Sequence, residues 1–530
     1  MAVLLFAIDI YGLNLTSFFA DISFFVRIPT CLALIFQGIF AFYLAIVWAC
    51  AYKPYQKLYT SDMSERSYVL SNISFCVPIL LPWFLLSGIT DIINVLPYDL
   101  PKDFLSTTEG EAIYFFVFLF AVAVTGPVLI QKFWRCRPLN AGYDRRRIEN
   151  LCRRADLEYA DILYWPIFGG RMITAGVMGL VKRFRYILVT DGLLRYLSPE
   201  EIDAVIAHEI GHIKKKHLLF YMFFLCGYLL LSYATFNLVI YFIIYSEPLF
   251  RFISGAGLNQ ATITSAIFSL VIILIFVIYF RYVFGYFMRN FERQADAYVY
   301  TLFENGKHLI STFEKIVLTS GQPPDKPNWH HFSIAERIGY LKKCEKDKIW
   351  ITRHDQKIKK SIAAYLAGIL LIAGIGYNLN FGETGRKMNA RILEKTIQRA
   401  IERNADNPAL HSMLGDICYD SGKYERTIAA YEKSLKLKPD NPQVLNNLAW
   451  LYATCKDERL RDLKKSLTLA QKAAASDGSP HILDTLAESY YLNGQFESAV
   501  SVGRRALELS QKNRFYYKKQ LEKFMNATLK

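Results

Sequence analysis

Long unbroken apolar runs, and not short alternations, dominate the first two thirds of the chain. Six of them reach the roughly 20 helical residues that a hydrocarbon core about 30 Å thick requires: residues near 29–51, 70–90, 112–131, 218–246, 262–288 and 361–378. The second carries Pro78 and Pro82 and the last is short, so the boundaries of these two are the least sharply defined by the pattern. Residues 1–21 hold Asp9 and Asp21 within an apolar stretch that has no basic start. They predict an amphipathic interfacial or re-entrant segment in place of a cleaved signal peptide. Between the third and fourth runs the pattern changes. Residues 161–190 are rich in β-branched and aromatic residues punctuated by glycines, which predicts the short strands of a small sheet.

The charged positions set an expected orientation. Residues 90–111 hold five acids against one base, Lys102, whereas 132–217 hold 16 basic residues against 10 acidic and 281–360 hold 15 against 9. Short basic loops stay on the cytoplasmic side. Both basic segments are therefore expected in the cytoplasm and the acidic loop outside. With six spans, the N-terminus and everything after residue 378 also fall outside. The chain as a whole carries 62 Lys and Arg against 47 Asp and Glu, a net +15. The membrane accounts for that surplus, and without a recognised motif nucleic acid is not an expected partner. A hydrophobic fraction of 53% excludes a disordered chain. Nine scattered cysteines with no CxxC pair predict neither a disulfide framework nor a thiolate metal site.

Candidate chemistry begins at Ser198-Pro199-Glu200-Glu201, an N-cap followed by proline at the first helical position and glutamate at the third. The helix so started runs through His208-Glu209-Ile210-Gly211-His212. His208 and His212, four residues apart, share one face and can reach one zinc ion. Glu209 is turned by about 100° from His208, beside the metal, where it can deprotonate a zinc-bound water. With nine histidines in the chain, this pattern arises by chance in fewer than about one such sequence in a hundred. The fifth run ends in Glu292-Arg-Gln-Ala295-Asp296. Residue 252, midway along the intervening loop, lies equally far from His212 and Glu292, so a hairpin of runs four and five brings both to one level at the cytoplasmic mouth. Asp296 is placed to accept a hydrogen bond from a ligand histidine. His331 and Arg337 could donate to the oxyanion of a hydrolysed carbonyl, with His330 the competing choice. His217 is nine residues from His208, and nine steps of about 100° put it on the opposite face, which excludes it as a ligand.

The HEIGH pattern, a hydrophobic hairpin and ExxAD together resemble the membrane zinc metallopeptidases that include HtpX and the type I CAAX prenyl proteases. The resemblance covers roughly residues 130–345. It implies Glu292 as third zinc ligand and Asp296 behind a ligand. His331-Phe-Ser-Ile-Ala-Glu-Arg337 resembles the family's HPxxxxR segment, with Phe332 in place of proline. Residues 171–179 resemble its edge strand, against which an extended peptide would bind through Thr174, Ala175 and Gly176.

The tail repeats itself. Asn407-Pro408 and Leu414-Gly415 recur 34 residues later as Asn441-Pro442 and Leu448-Ala449, the tetratricopeptide period. The next step, to Leu486-Ala487, is 38 residues, which places about four extra residues near 456–461. Residues 386–404 and 513–527 predict a leading and a closing helix. His411 and His481 are expected on the surface.

The expected fold is mainly α: a multi-span helical membrane protein with a small α+β zinc-metalloprotease domain and a C-terminal tetratricopeptide solenoid. The expected domains are a membrane region over 1–131, the metallopeptidase over 132–360 with its membrane hairpin 218–288, a last span at 361–378 and the repeats over 386–530. Such a chain would use one zinc ion to hydrolyse peptides or membrane proteins at the cytoplasmic face of a cell membrane, a bacterial inner membrane in this reading. Its repeats, on the opposite side, would engage a protein partner. Two rivals are a non-catalytic scaffold and a CAAX-type prenyl-peptide protease.

Overall fold

The structure, a computed structural model, describes the chain apart from residues 60–62, 168–171, 250, 252–259, 322, 327 and 529–530. Two compact units emerge, Met1–Tyr228 with Val277–Leu366, and Leu229–Phe276 with Ala367–Lys530.

In the first unit, short helices at Ala2–Ala7, Ser17–Ala20 and Ser23–Arg27 precede α1 (Pro29–Tyr59). Phe6 meets Phe40 edge to face at 5.4 Å, and the Tyr43 hydroxyl donates to Asp9, so this acid is held against α1. Next come α2 (Glu65–Val95) and α3 (Thr108–Phe133). Two stretches of α2, Glu65–Cys76 and Leu80–Val95, meet at 57°, a bend in the part of the run that carries Pro78 and Pro82.

A four-stranded sheet follows, built from β1 (Arg137–Pro138), β2 (Asp161–Tyr164), β3 (Ala175–Met178) and β4 (Tyr186–Val189). Its order is β1-β2-β4-β3, with β2 and β4 parallel and the outer strands antiparallel to them. Ile162 and Ile187 are buried among Ile148 and Leu151 of α4 (Tyr143–Arg154) and Ile206 and Ile210 of α5 (Pro199–Lys214). α5 starts where the sequence predicts. Ser198 N–H donates to Glu201 Oε2 at 2.7 Å while Glu201 N–H donates back to Ser198 Oγ at 3.4 Å.

Two long helices bound the hairpin, α6 (His217–Tyr245) and the pair α7 (Gln260–Ile278) and α8 (Gly285–Leu302), joined by a π-helical turn over Tyr279–Phe284. They run antiparallel, with Phe224 4.4 Å from Phe287 and Phe236 5.2 Å from Phe268 between ring centroids. Residue 252, the expected midpoint of the hairpin loop, lies outside the described residues. The helix continues to Leu302, well past the predicted end at 288, and so carries Glu292 and Asp296 as rigid extensions of the apolar run. The remaining helices of this region are α9 (Lys307–Ser320), α10 (Ile334–Lys346) and α11 (Ile349–Asn380).

Among the described residues, five helices are long and apolar enough to cross a bilayer: Pro29–Lys57, Gly110–Phe133, His217–Tyr245, Ile263–Leu302 and Ile349–Asn380, with the bent α2 a sixth if counted as one span. Leu270 and Leu370 on these helices are 67% and 73% exposed, surface that lipid and not water suits. The chain is a multi-pass membrane protein. All nine cysteines are free.

In the second unit, α12 (Glu383–Arg403) leads three helix pairs: α13 and α14 (Pro408–Asp420, Tyr424–Leu437), α15 and α16 (Pro442–Thr454, Leu463–Ser476), and α17 and α18 (Pro480–Leu492, Phe496–Leu509). α19 (Arg514–Thr528) closes the stack. Asn407 and Asn441 cap their helices through Oδ1, each followed by proline at the first turn, which is why Asn-Pro marks the period. The extra residues form a 3-10 turn at Glu458–Leu460. His411, expected at the surface, is buried at 8% exposure, with Nε2 2.7 Å from the Ala405 carbonyl. It ties the preceding loop down, a long-range packing role that a helical pattern does not show.

A Cβ at Gly415 would stand 2.4 Å from the Tyr431 ring, so α13 and α14 touch through a missing side chain. Gly415→Val should cost about 1–3 kcal/mol by overpacking, read as a lower thermal midpoint of the full chain. An unchanged midpoint would show that the two helices can part freely.

Candidate metal centre

The site forms where α5 crosses α8. A Cβ on Gly211 would lie 2.9 Å from Tyr298 Cβ and 3.0 Å from Ala295 Cα, so the two helices meet almost backbone to backbone. His208 and His212 flank Gly211, and Glu292 and Asp296 flank Ala295. The donor atoms converge in consequence. His208 Nε2 and His212 Nε2 are 3.3 Å apart, His212 Nε2 and Glu292 Oε1 3.3 Å, and His208 Nε2 and Glu292 Oε2 3.5 Å. All three residues are buried. Ligands about 2.0–2.1 Å from a tetrahedral zinc stand about 3.3–3.4 Å apart along each edge. The two histidines face different oxygens of Glu292, and one donor atom from each of the three residues lies within 4.8 Å of the others, a cluster that suits a single zinc ion.

The electrostatics call for a cation. Burial opposes charging His208, yet Asp296 and Glu292 outweigh it and raise the imidazole's pKa well above its ordinary value. Positive charge is what this pocket lacks. Glu209, half-buried on α5, has its pKa pushed up by burial, while the neighbouring His208 and His212 pull it down.

Asp296 Oδ1 lies 2.9 Å from His208 Nδ1, although the ring N–H is not aligned along that line. Asp296 is gripped in turn by Arg337, whose Nε and Nη2 donate to its two oxygens at 2.8 and 2.6 Å. Arg337 Nη2 is also 3.6 Å from Glu292 Oε2, and the guanidinium lies 4.2 Å over the Phe313 ring. Two of the Arg337 nitrogens are thus committed to Asp296, a contact that the sequence reading of Arg337 as a donor to the reacting carbonyl does not include. His331 Nδ1 comes to 3.0 Å from Glu292 Oε2 and remains 36% exposed on its side chain. Among the described residues, His330 forms no ion pair with Glu292. A second capping box, Ser333 with Glu336, starts α10 and positions Arg337 on its first turn. Where proline was expected, Phe332 packs under Arg293, whose guanidinium is 3.9 Å from the ring. Arg289 Nη1 anchors the same loop by donating to the Trp329 carbonyl at 2.6 Å.

Residues 175–178 form β3, an end strand of the sheet, packed against α5. Ala175 and Gly176 pair with Val189 and Leu188 on one side, leaving the other edge of β3 unpaired by the sheet. Thr174 sits just ahead, its carbonyl accepting from the Thr190 hydroxyl at 2.9 Å. Arg171, at the start of the stretch, lies outside the described residues.

His217 is not on the opposite face. α5 stops at Lys214, and Lys216 takes a left-handed conformation at φ 60°, so the chain reverses and helical angles cannot be carried across. His217 Nδ1 then lies 3.0 Å from His212 Nδ1, and its Nε2 lies 3.2 Å from Gln294 Oε1. It touches a candidate ligand from behind. One signal was present in the sequence: three lysines divide an amphipathic helix from a wholly apolar one. Gln294 and Asp355 gave none.

Two histidines on α5 and a glutamate on α8 fit a gluzincin-type metal centre. The resemblance read from the motifs is borne out: residues 138–345 match peptidase family M48, and residues 415–454 match the TPR repeat. A protease HtpX homologue of Aeropyrum pernix is 29% identical over 140 residues, 25% of this chain and 42% of that one. CAAX prenyl protease 1 of Saccharomyces cerevisiae is 28% identical over 255 residues, 43% of this chain and 55% of that one. The match thus spans about half or less of these relatives' length. The crystal structure of Ste24p from S. mikatae superposes with a TM-score of 0.37 at 19% identity, covering 59% of this chain and 83% of that one.

Gly211→Val would meet the Ala295 backbone, which cannot yield as a side chain tip can. Zinc affinity of the purified protein, measured by chelator competition, should fall at least about tenfold with the donors displaced. Wild-type affinity would show that the helix crossing does not set the donor spacing.

Proposed function

We propose that this chain is an integral membrane zinc endopeptidase that cleaves peptide bonds of membrane proteins or peptides. The observation that carries the reading is the convergence of His208, His212 and Glu292, whose nearest nitrogen and oxygen atoms lie within 3.5 Å in each pair, with Glu209 beside it. The matched relatives, a protease HtpX homologue and a CAAX prenyl protease, support it.

A single zinc ion, when bound, supplies Lewis acidity that lowers the pKa of water towards about 7 and polarises a carbonyl. Glu209 accepts the proton of the attacking water and returns it to the departing amine; its raised pKa suits it to both steps. His331, exposed at the edge of the site, donates to the carbonyl oxygen as charge gathers there. Arg337 keeps Asp296 oriented and, through it, His208. The free edge of β3, beside α5, suits an extended peptide bound by main-chain hydrogen bonds at Thr174, Ala175 and Gly176.

The repeats would recruit a protein partner. A hollow of about 410 Å³ in their stack is lined by Asp416, Asp420, Asn447, Trp450, Asp484 and Tyr517 among others, acidic and aromatic surface that suits a basic segment. Charge bias puts the catalytic region in the cytoplasm, on the face of a cell membrane such as a bacterial inner membrane. In sequence, one span over Ile349–Asn380 separates that region from the repeats, which therefore fall on the other side whether or not α2 spans.

Glu209→Gln should keep zinc and lose about 10²–10⁴-fold of its cleavage rate on a reconstituted membrane substrate. Unchanged cleavage removes the mechanism, and absence of cleavage by the wild-type chain with zinc bound favours a scaffold. The name of the yeast relative raises prenylated peptides as a second substrate class. Hydrolysis of a farnesylated peptide, but not of its unmodified twin, would select it. Reporter fusions after residues 215, 250 and 400 should read cytoplasmic, external and external. A cytoplasmic signal at 400 would overturn the assignment of the repeats.

A further inference from the structure

Behind His212 stands a chain of polar contacts that the proposed hydrolysis does not use. The Asp355 carboxylate on α11 receives Lys215 Nζ at 2.6 Å on one oxygen and Gln294 Nε2 at 2.6 Å on the other. Gln294 Oε1 faces His217 Nε2 at 3.2 Å, and His217 Nδ1 faces His212 Nδ1 at 3.0 Å. His217 is fully buried and Gln294 nearly so. Each link constrains the next. A carboxylate has only acceptors, so the amide must turn its nitrogen to Asp355 and its oxygen to His217. His217 Nε2 must therefore carry a hydrogen. Its ring stacks on Phe291 at 4.3 Å and 6°, and among the described residues no carboxylate lies within ion-pair distance of it. An unpaired charge is costly in such a place, so the ring is neutral and Nδ1 is a bare acceptor. His212 Nδ1 must then donate, which leaves Nε2 as the lone pair pointing at His208 Nε2 and Glu292 Oε1.

We propose that Asp355, Gln294 and His217 are positioning residues whose hydrogen-bond polarity, relayed in that order, holds His212 in the one tautomer that can offer Nε2 to the metal. The inference rests on the zinc reading above. The two candidate ligand histidines are thus oriented by different means: His208 lies against a carboxylate, Asp296, while His212 lies against a neutral imidazole. The uncharged partner orients His212 without adding a further buried anion beside Glu292 and Asp296.

The rival explanation is packing, since His217 fills space against Phe291. Two replacements at His217 separate the explanations. His217→Phe preserves an aromatic ring for stacking and removes the acceptor, whereas His217→Asn loses the ring and keeps an acceptor. The full-length chain is purified in detergent and stripped of metal. Its zinc affinity is measured by competition with a chromogenic chelator, and the thermal midpoint of the stripped form reports folding. The relay predicts that H217F and Q294L each weaken zinc binding about 10–100-fold. It also predicts that the double variant is little worse than the weaker single, because both break one chain, and that H217N binds more tightly than H217F despite a lower thermal midpoint. Wild-type affinity in H217F, or tighter binding by H217F than by H217N, overturns the relay while leaving the zinc centre standing. Failure of the wild-type chain itself to bind zinc overturns both.

Discussion

One close contact governs the site. At Gly211 and Ala295 two helices approach until a single added methyl group would collide with backbone, and every candidate donor lies within one helical turn of that point. A histidine pair four residues apart presents both rings to the same side of α5. Only at this separation can a glutamate on α8 enter between them. Glycine and alanine here are spacers: their lack of bulk sets the distance at which imidazole and carboxylate stop being neighbours and become a chelate.

That closeness has an electrostatic cost which the surrounding residues distribute. Glu209, Glu292 and Asp296 crowd a region with one guanidinium, Arg337, in direct contact. Buried carboxyl groups at such separations repel one another unless cations intervene. Arg337 answers for Asp296 by forking onto both its oxygens, and a divalent ion would answer for the rest. The same crowding raises the pKa of His208 above its ordinary value, because Asp296 and Glu292 outweigh the burial that opposes its charge. It also explains why the support behind His212 is a neutral relay.

Much of the site was legible in the chain, for a local reason. The four-residue spacing of His208 and His212, the capping box at Ser198 and the 34-residue step of the Asn-Pro caps are all decided by helix geometry within a few turns. Such geometry does not wait on tertiary contacts. Glu292 needed one more step, the length of the hairpin. The bond of Arg337 to Asp296 is not legible in the chain, because it crosses 41 residues of sequence. His217 was misplaced because Lys216 adopts a left-handed backbone, which breaks the helix along which its angle had been counted.

Sequence alone therefore determined what is periodic or contiguous: apolar runs of bilayer length, the small sheet, the HExxH face and the repeat. Tertiary structure decided which polar groups meet across long stretches of chain, namely Arg337 with Asp296, His217 with Gln294 and Gln294 with Asp355. The difference is physical. Periodicity is imposed by backbone hydrogen bonds a few residues apart, whereas the pairing of distant polar groups is imposed by the demand that each, once buried, find a partner wherever the fold has placed one.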